Sequence, residues 1–328
     1  MNQAPDELIR QFFASHQQYV IISHIRPDGD AVGSLLGLGM ALQNTGKDVQ
    51  FVLNDGVPLS FRHLPGHELI SRRIKGEFDA AIVVDCSDLN RTGGILGERV
   101  PDLNIDHHIT NLEFARLNVV HPESEATCGI LAEKMEDWGL TITQPVARAL
   151  LTGLVSDTIG FRTPNVTAHT LRLAAKLMDH GANLSELYNR ALIRRSFESV
   201  LYWGQCLVRL QRDNRITWGT LTLQDRAVAG YNGNDDADLI NILSAIDETD
   251  VAVIFVEQRD NKVKVSWRAQ PGLDISKIAL GFGGGGHPAA AGAEIPGSLD
   301  EVKSKVLQAT RAHLALQKSL NGAPKNNA

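Results

Sequence analysis

The sequence is poor in the features that mark secreted, membrane-spanning or nucleic-acid-coating proteins. Its 328 residues contain three cysteines, Cys86, Cys128 and Cys206. They are odd in number, far apart and in no Cys-x-x-Cys pair, which excludes a disulfide framework and a zinc knuckle. The longest apolar stretch, Val32 to Leu42, is interrupted by glycine and falls short of the roughly 20 residues that cross a bilayer. Met1-Asn2-Gln3-Ala4-Pro5-Asp6-Glu7 has no basic segment leading into an apolar run, so no signal peptide is expected and the cytoplasm is the expected compartment. Aromatic residues are only 5%, and 32 basic against 38 acidic side chains give a formal charge of −6. Proteins that coat long nucleic acid carry a basic face and stacking aromatics. No Lys/Arg cluster here is longer than Arg72-Arg73 or Arg194-Arg195. Long nucleic acid and membrane are therefore not expected partners. A short nucleotide ligand, which needs only a local positive site, is not excluded.

What is present is a globular composition, 43% hydrophobic and 21% charged, in a chain long enough for about two domains of roughly 150 residues. Short apolar runs alternate with helical stretches in the first half. Tyr19–Ile22, Val49–Val52, Ala80–Val84, Leu103–Ile105 and Leu117–Val120 read as strands, and Ala31–Asn44 as a Gly- and Leu-rich helix packed closely on them. This order indicates βαβ units and a parallel sheet covered on both faces. Helical spacing runs from Thr127 to about Leu210, and β character returns with Ile216–Leu221 and a hairpin across Asp260-Asn261. The expected fold is α/β: a parallel-sheet domain over 1–190, a helical linker over 191–212 without strand, and a smaller mixed α/β domain over 213–320.

Polar residues cluster where the strands of the first domain end, which is where ligands bind in doubly wound sheets. Ser23-His24-Ile25-Arg26-Pro27-Asp28-Gly29-Asp30 follows the first strand, and one imidazole with two carboxylates suits a borderline-hard divalent ion. A surface turn rich in Asp and Gly would read the same way. Asp85 ends another apolar strand, where it is either functional or a helix cap. His107 and His108 follow Asp106 directly after a strand, and Asp157 ends a helix with Gly160 close behind. Together His24, Asp28, Asp30, Asp85, His107 and Asp157 are too many ligands for one ion and suit two. Two divalent cations would also cancel the repulsion among four carboxylates.

In the second domain, Gly283-Gly284-Gly285-Gly286-His287-Pro288-Ala289-Ala290-Ala291-Gly292 offers backbone N–H groups to an anion. It is neither a P-loop, for no Gly-Lys-Ser/Thr follows, nor a dinucleotide fingerprint. Arg268, at the end of the preceding strand, could add a bidentate phosphate contact, or be a solvated strand-end charge.

In order and spacing, these motifs resemble those of the DHH phosphoesterase superfamily, and the glycine-rich run looks like the motif of its accessory domain, DHHA1. Ser156 to Arg162 and the short two-domain length look most like the nanoRNase branch, the bifunctional oligoribonucleases and 3′-phosphoadenosine-5′-phosphate (pAp) phosphatases. Ser156 and Ile159 stand where threonine and a second glycine are common in the family. The resemblance implies a hydrolase with two manganese or magnesium ions, acting on short RNA, dinucleotides and pAp. It implies that His24 and Asp28 hold one ion, that Asp30, His107 and Asp157 hold the other, and that Asp85 bridges them. His108 would face the scissile phosphate. Arg268, His287 and the amides of Gly284, Gly285 and Gly286 would grip the nucleotide from the second domain. It leaves a homodimer open. The alternatives are a linear or cyclic dinucleotide phosphodiesterase of signalling, a pyrophosphatase relative, and a non-catalytic nucleotide-binding module.

Overall fold

The computed structural model describes residues 6–321, apart from the side chains of His287 and of residues 318–321. The first five residues of the expected first domain lie outside the described residues. The chain divides between Arg194 and Arg195 into two compact units.

The first unit runs α1 (Asp6–Ser15), β1 (Gln18–Ile22), α2 (Gly29–Gln43), β2 (Asp48–Val52), β3 (Ile70–Ser71), β4 (Ala80–Val84), β5 (Leu103–Asp106), β6 (Leu117–Val120), α3 (Thr127–Lys134), α4 (Gln144–Asp157), α5 (Ala168–Asp179) and α6 (Leu184–Tyr188). Its strands form a parallel sheet in the order β3-β2-β1-β4-β5-β6. Residues 19–22 of β1 and all of β4 are buried, as expected for parallel strands covered on both faces. The chain proceeds to one side of β1 through β2 and β3, then to the other through β4, β5 and β6. The switch point therefore lies between β1 and β4, and a crevice opens outside their carboxyl ends.

Glycine sets how closely the helices over that sheet approach. A Cβ on Gly33 of α2 would lie 2.6 Å from the Ala149 carbonyl oxygen of α4, and one on Gly37 would lie 2.5 Å from Leu150 Cδ2. At α2's first residue, a Cβ on Gly29 would sit 2.3 Å from Ser156 Oγ. The start of α2 is thus pressed against the end of α4.

The second unit runs α7 (Phe197–Leu207), β7 (Gln211–Asp213), β8 (Ile216–Leu221), α8 (Leu223–Ala229), α9 (Leu239–Leu243), β9 (Val251–Gln258), β10 (Lys262–Ala269), α10 (Ser276–Gly281), β11 (Gly285–His287), β12 (Ala290–Pro296) and α11 (Leu299–Asn321). Its sheet, ordered β11-β12-β10-β9-β8-β7, is mixed: β8 and β9 are parallel, and the other pairs are antiparallel. One face packs Phe255, Val265 and Trp267 under α10 and α11, where Trp267 Nε1 donates to Thr310 Oγ1 at 3.2 Å. The other packs Ile254 and Val256 against Tyr202, Cys206 and Leu243.

The stretch 191–212 is not the strandless helix expected from its sequence. A π-helical turn, Asn189–Ile193, precedes α7, and Gln211–Asp213 pairs with β8. A three-residue edge strand has no periodicity to read, and only its pairing defines it. The Ala- and Gly-rich β12 has too little contrast between apolar and polar residues for its alternation to be read from sequence; β10 supplies its register.

Gly33→Ala should destabilise the protein by about 2 kcal/mol, because the overpacking of α2 on α4 outweighs the helix-propensity gain of about 1 kcal/mol. Chemical denaturation measures it, and an increase in stability would contradict the close-packing role.

Candidate metal centre

The six residues singled out at strand and helix ends come together in the crevice. β1 delivers His24, β4 delivers Asp85, β5 delivers His107, and α4 ends in Asp157. Asp28 caps α2, its Oδ1 accepting from the backbone nitrogens of Asp30 (3.1 Å) and Ala31 (3.0 Å). Asp85 has φ +52°. For a side chain other than glycine that left-handed conformation is held only by its surroundings, and here it sits where β4 leaves the sheet.

Both histidines are oriented from behind. His24 Nδ1 bonds the Ile25 carbonyl oxygen at 2.8 Å, and Nε2 faces Asp85 Oδ2 at 3.5 Å and Asp28 Oδ1 at 4.0 Å. His107 Nδ1 lies 3.3 Å from the Ser124 carbonyl oxygen, and Nε2 faces Asp157 Oδ2 at 3.6 Å and Asp85 Oδ1 at 3.8 Å. A backbone carbonyl behind each ring is how metal-ligating imidazoles are commonly fixed. Donor atoms within 4.8 Å of one another define the groups His24–Asp28–Asp85 and Asp30–His107–Asp157, and a third group, Asp85–His107–His108. Asp85 turns one oxygen to each histidine, between the first two groups.

Electrostatics show how unfavourable the site is without a cation. Burial, together with the Asp85 charge, raises Asp30 to about 7. Asp157 is raised by burial and by Asp30, Asp28 and Asp85. Asp85 is itself buried, but the His24 hydrogen bond and the surrounding imidazoles outweigh that burial and hold it below the usual carboxylate range. Burial opposes charge on His24, yet Asp85 and Asp28 raise it to about 9. The nearby thiols stay protonated: burial pushes Cys86 up to about 12 and also raises Cys128. The donors are thus oxygen and imidazole without thiolate, a set that fits manganese or magnesium rather than a soft ion.

Several residues that build the site were not apparent from the sequence as functional. Thr127 Oγ1 donates to Asp85 Oδ1 at 3.1 Å, and the backbone nitrogens of Thr127 and Cys128 donate to Asp30 Oδ2 (2.7 Å) and Oδ1 (2.9 Å). The start of α3 therefore holds two carboxylates. Gly153 leaves it room, for a Cβ there would lie 2.2 Å from Cys128 Sγ and 2.8 Å from Asp30 Oδ1. Asp106, fully buried, accepts from His108 Nδ1 (2.7 Å) and from Asn111 Nδ2 (2.5 Å), and Asn111 also donates to Asn104 Oδ1 at 2.8 Å.

In the second unit, Ala290 of β12 is paired with both Arg268 of β10 and His287 of β11, so the three share one row across the sheet. Arg268 Nε donates to Asn241 Oδ1 at 3.3 Å, and its guanidinium also donates to the Trp267 carbonyl oxygen at 3.1 Å. His287's side chain is outside the described residues. Gly284 and Gly286 pack against β12, with Cβ positions 2.1 Å from the Gly292 oxygen and 2.4 Å from the Ala290 oxygen; Gly285 has open space around it.

With two domains and two clusters of this kind in place, comparison with known proteins is decisive. The DHH family, N-terminal domain, matches residues 18–154, and the DHHA1 domain matches residues 225–314. A bifunctional oligoribonuclease and PAP phosphatase of Thermus thermophilus is 36% identical over 297 residues, 90% of this chain and 89% of that protein. The chain belongs to the DHH family. A protein of the same description from Bacillus subtilis is 27% identical over 88% of this chain and 92% of its own length. An exopolyphosphatase-related protein of Bacteroides fragilis shares the fold, with a TM-score of 0.87 and 24% identity, over 95% of this chain and 97% of that one. The DHH name is carried here by Asp106-His107-His108 at the end of β5.

A cation must displace protons from this family's site as found here. Divalent-metal affinity should rise with pH until His24 is neutral, near pH 9, and fall further as Asp30 takes up its proton below about pH 7. Calorimetry with manganese in two buffers of different ionisation enthalpy should register proton release at pH 7. Binding that releases no proton and ignores pH would contradict this charge arrangement.

Proposed function

We propose that this protein is a metal-dependent phosphoesterase that hydrolyses short oligoribonucleotides and dinucleotides to mononucleotides, and pAp to AMP and phosphate. The observation that carries the reading is Asp85, whose two oxygens turn to the two histidine-containing clusters. The 36% identical relative, named for both activities, supports it. In this reading His24 and Asp28 would hold one ion, Asp30, His107 and Asp157 a second, and Asp85 would contribute to both. The ions would be manganese, with magnesium as a substitute, and would supply Lewis acidity at phosphorus and cancel the carboxylate charge.

The chain's own groups do the rest. Asp106 accepts from His108 Nδ1 and favours the imidazolium, whose Nε2–H on the opposite edge of the ring can donate to a phosphate oxygen. Thr127 and the backbone of α3 keep Asp85 and Asp30 from turning away. Arg268, His287 and the amides of Gly284, Gly285 and Gly286 bind the nucleotide's phosphate end. Selection for short substrates rests on charge: at −6 with 5% aromatic residues, a longer strand finds no basic stacking track. Three buried free cysteines agree with a reducing compartment, the cytoplasm.

The test is turnover with manganese on pAp, dinucleotides, short RNA, pyrophosphate and an RNA of about 24 nucleotides. Activity should be highest on the shortest nucleotides, fall steeply with length, depend weakly on salt and vanish in chelator. Equal rates on the long RNA with a steep salt dependence, or full activity in excess EDTA, would overturn the proposal. Arg268→Ala should raise KM about tenfold or more while leaving manganese affinity unchanged, since a lost bidentate phosphate contact is worth at least one decade in binding. Loss of metal in that variant would mean that Arg268 acts on the metal centre instead.

A further inference from the structure

Helix α7 is apolar around its circumference but covered on one side only. Ser199, Tyr202 and Cys206 are buried toward the second unit's own core. The opposite side presents Phe197 (74% exposed), Val200 (51%), Leu201 (43%), Leu207 (42%) and Val208 (82%). A helix that is apolar all round is normally buried all round, and a contiguous exposed apolar patch marks an interaction surface. Among the residues of this helix, Glu198 carries the one charge.

The pattern itself says what covers it. Gly204 lies at the middle of the exposed face, and a Cβ built on it would meet nothing within 4 Å. Val200 and Leu201 precede Gly204 by four and three residues, and Leu207 and Val208 follow it by three and four. The face therefore reads the same from either end. An isologous two-fold contact requires this self-complementarity, in which residue i meets j and j meets i. We propose that the chain pairs with a second copy of itself through α7, antiparallel about a two-fold axis at Gly204. Val200 then packs on Val208 of the second copy, and Leu201 on its Leu207. The missing side chain at Gly204 lets the two backbones approach at the crossing.

Charge favours the antiparallel sense. Glu198 lies at the start of the helix, and Arg209, just past its end, is already paired with Asp225. Antiparallel pairing keeps the two Glu198 carboxylates at opposite ends of the contact, whereas parallel pairing would oppose Glu198 to Glu198. Val228, 62% exposed on the adjoining α8, extends the apolar area.

Sedimentation of the full chain tests the proposal directly. The wild type should be a dimer at micromolar concentration. Val208→Asp, at a side chain that buries almost nothing within the monomer, should raise the dimer Kd by on the order of a hundredfold, as for an interface anchor, with an unchanged circular dichroism spectrum and manganese affinity. Gly204→Cys should form a covalent dimer on mild oxidation, since the axis brings its two copies together; the three native cysteines are buried. A wild type that stays monomeric at about 100 μM, where even a weak specific dimer would form, overturns the proposal. A dimer that survives Val208→Asp and does not cross-link through Gly204→Cys also overturns it.

Discussion

Four carboxylates, Asp28, Asp30, Asp85 and Asp157, are brought to one crevice and leave it with more negative charge than a buried site can carry alone. The remainder of the first unit is arranged around that constraint. Asp85, 2% exposed and in a left-handed backbone conformation, is the group on which it turns. Three imidazoles and the Thr127 hydroxyl face it, so it stays ionised despite burial. Asp30 and Asp157, with less compensation, are pushed toward protonation. One carboxylate is thus held charged beside two that burial and mutual repulsion push toward protonation.

Holding such groups together demands close packing just behind them. Gly29 admits Ser156 at the meeting of α2 and α4, Gly33 admits the α4 backbone, and Gly153 admits Cys128 and Asp30. A methyl group at any of these positions would separate the elements that carry the ligands. The start of α3 then serves as a donor platform, with two backbone N–H groups and one hydroxyl committed to Asp30 and Asp85. Stability and site geometry are the same contacts viewed from two sides.

The second unit uses glycine for a different purpose. Gly284 and Gly286 lie where β11 meets β12 too closely for a Cβ, while Gly285 between them is open. The run is a short strand, not a free loop, and it shares a row with Arg268 across Ala290. Asn241, on α9, holds the Arg268 guanidinium from one side, so that a long flexible cation is partly ordered before any anion arrives.

Much of this was legible in the sequence. Continuous apolar runs such as Ala80–Val84 identified buried parallel strands, and polar residues directly after those runs had to lie at one edge of the sheet. That argument alone placed His24, Asp85 and His107 near one another. The sequence also carried the spacing of the glycine-rich run and a net charge of −6 without a long Lys/Arg cluster. It could not show Thr127, Asn104 or Asn111 at work, because their partners lie 42, 21 and 5 residues away and no local pattern records such a pairing. Nor could it show β7, β11 and β12, which are strands only because a neighbour offers a register. Periodicity determined which residues are buried and which ends carry polar groups. Long-range packing alone decided which polar groups meet, since hydrogen bonds and charge interactions act over a few ångströms whatever the separation along the chain.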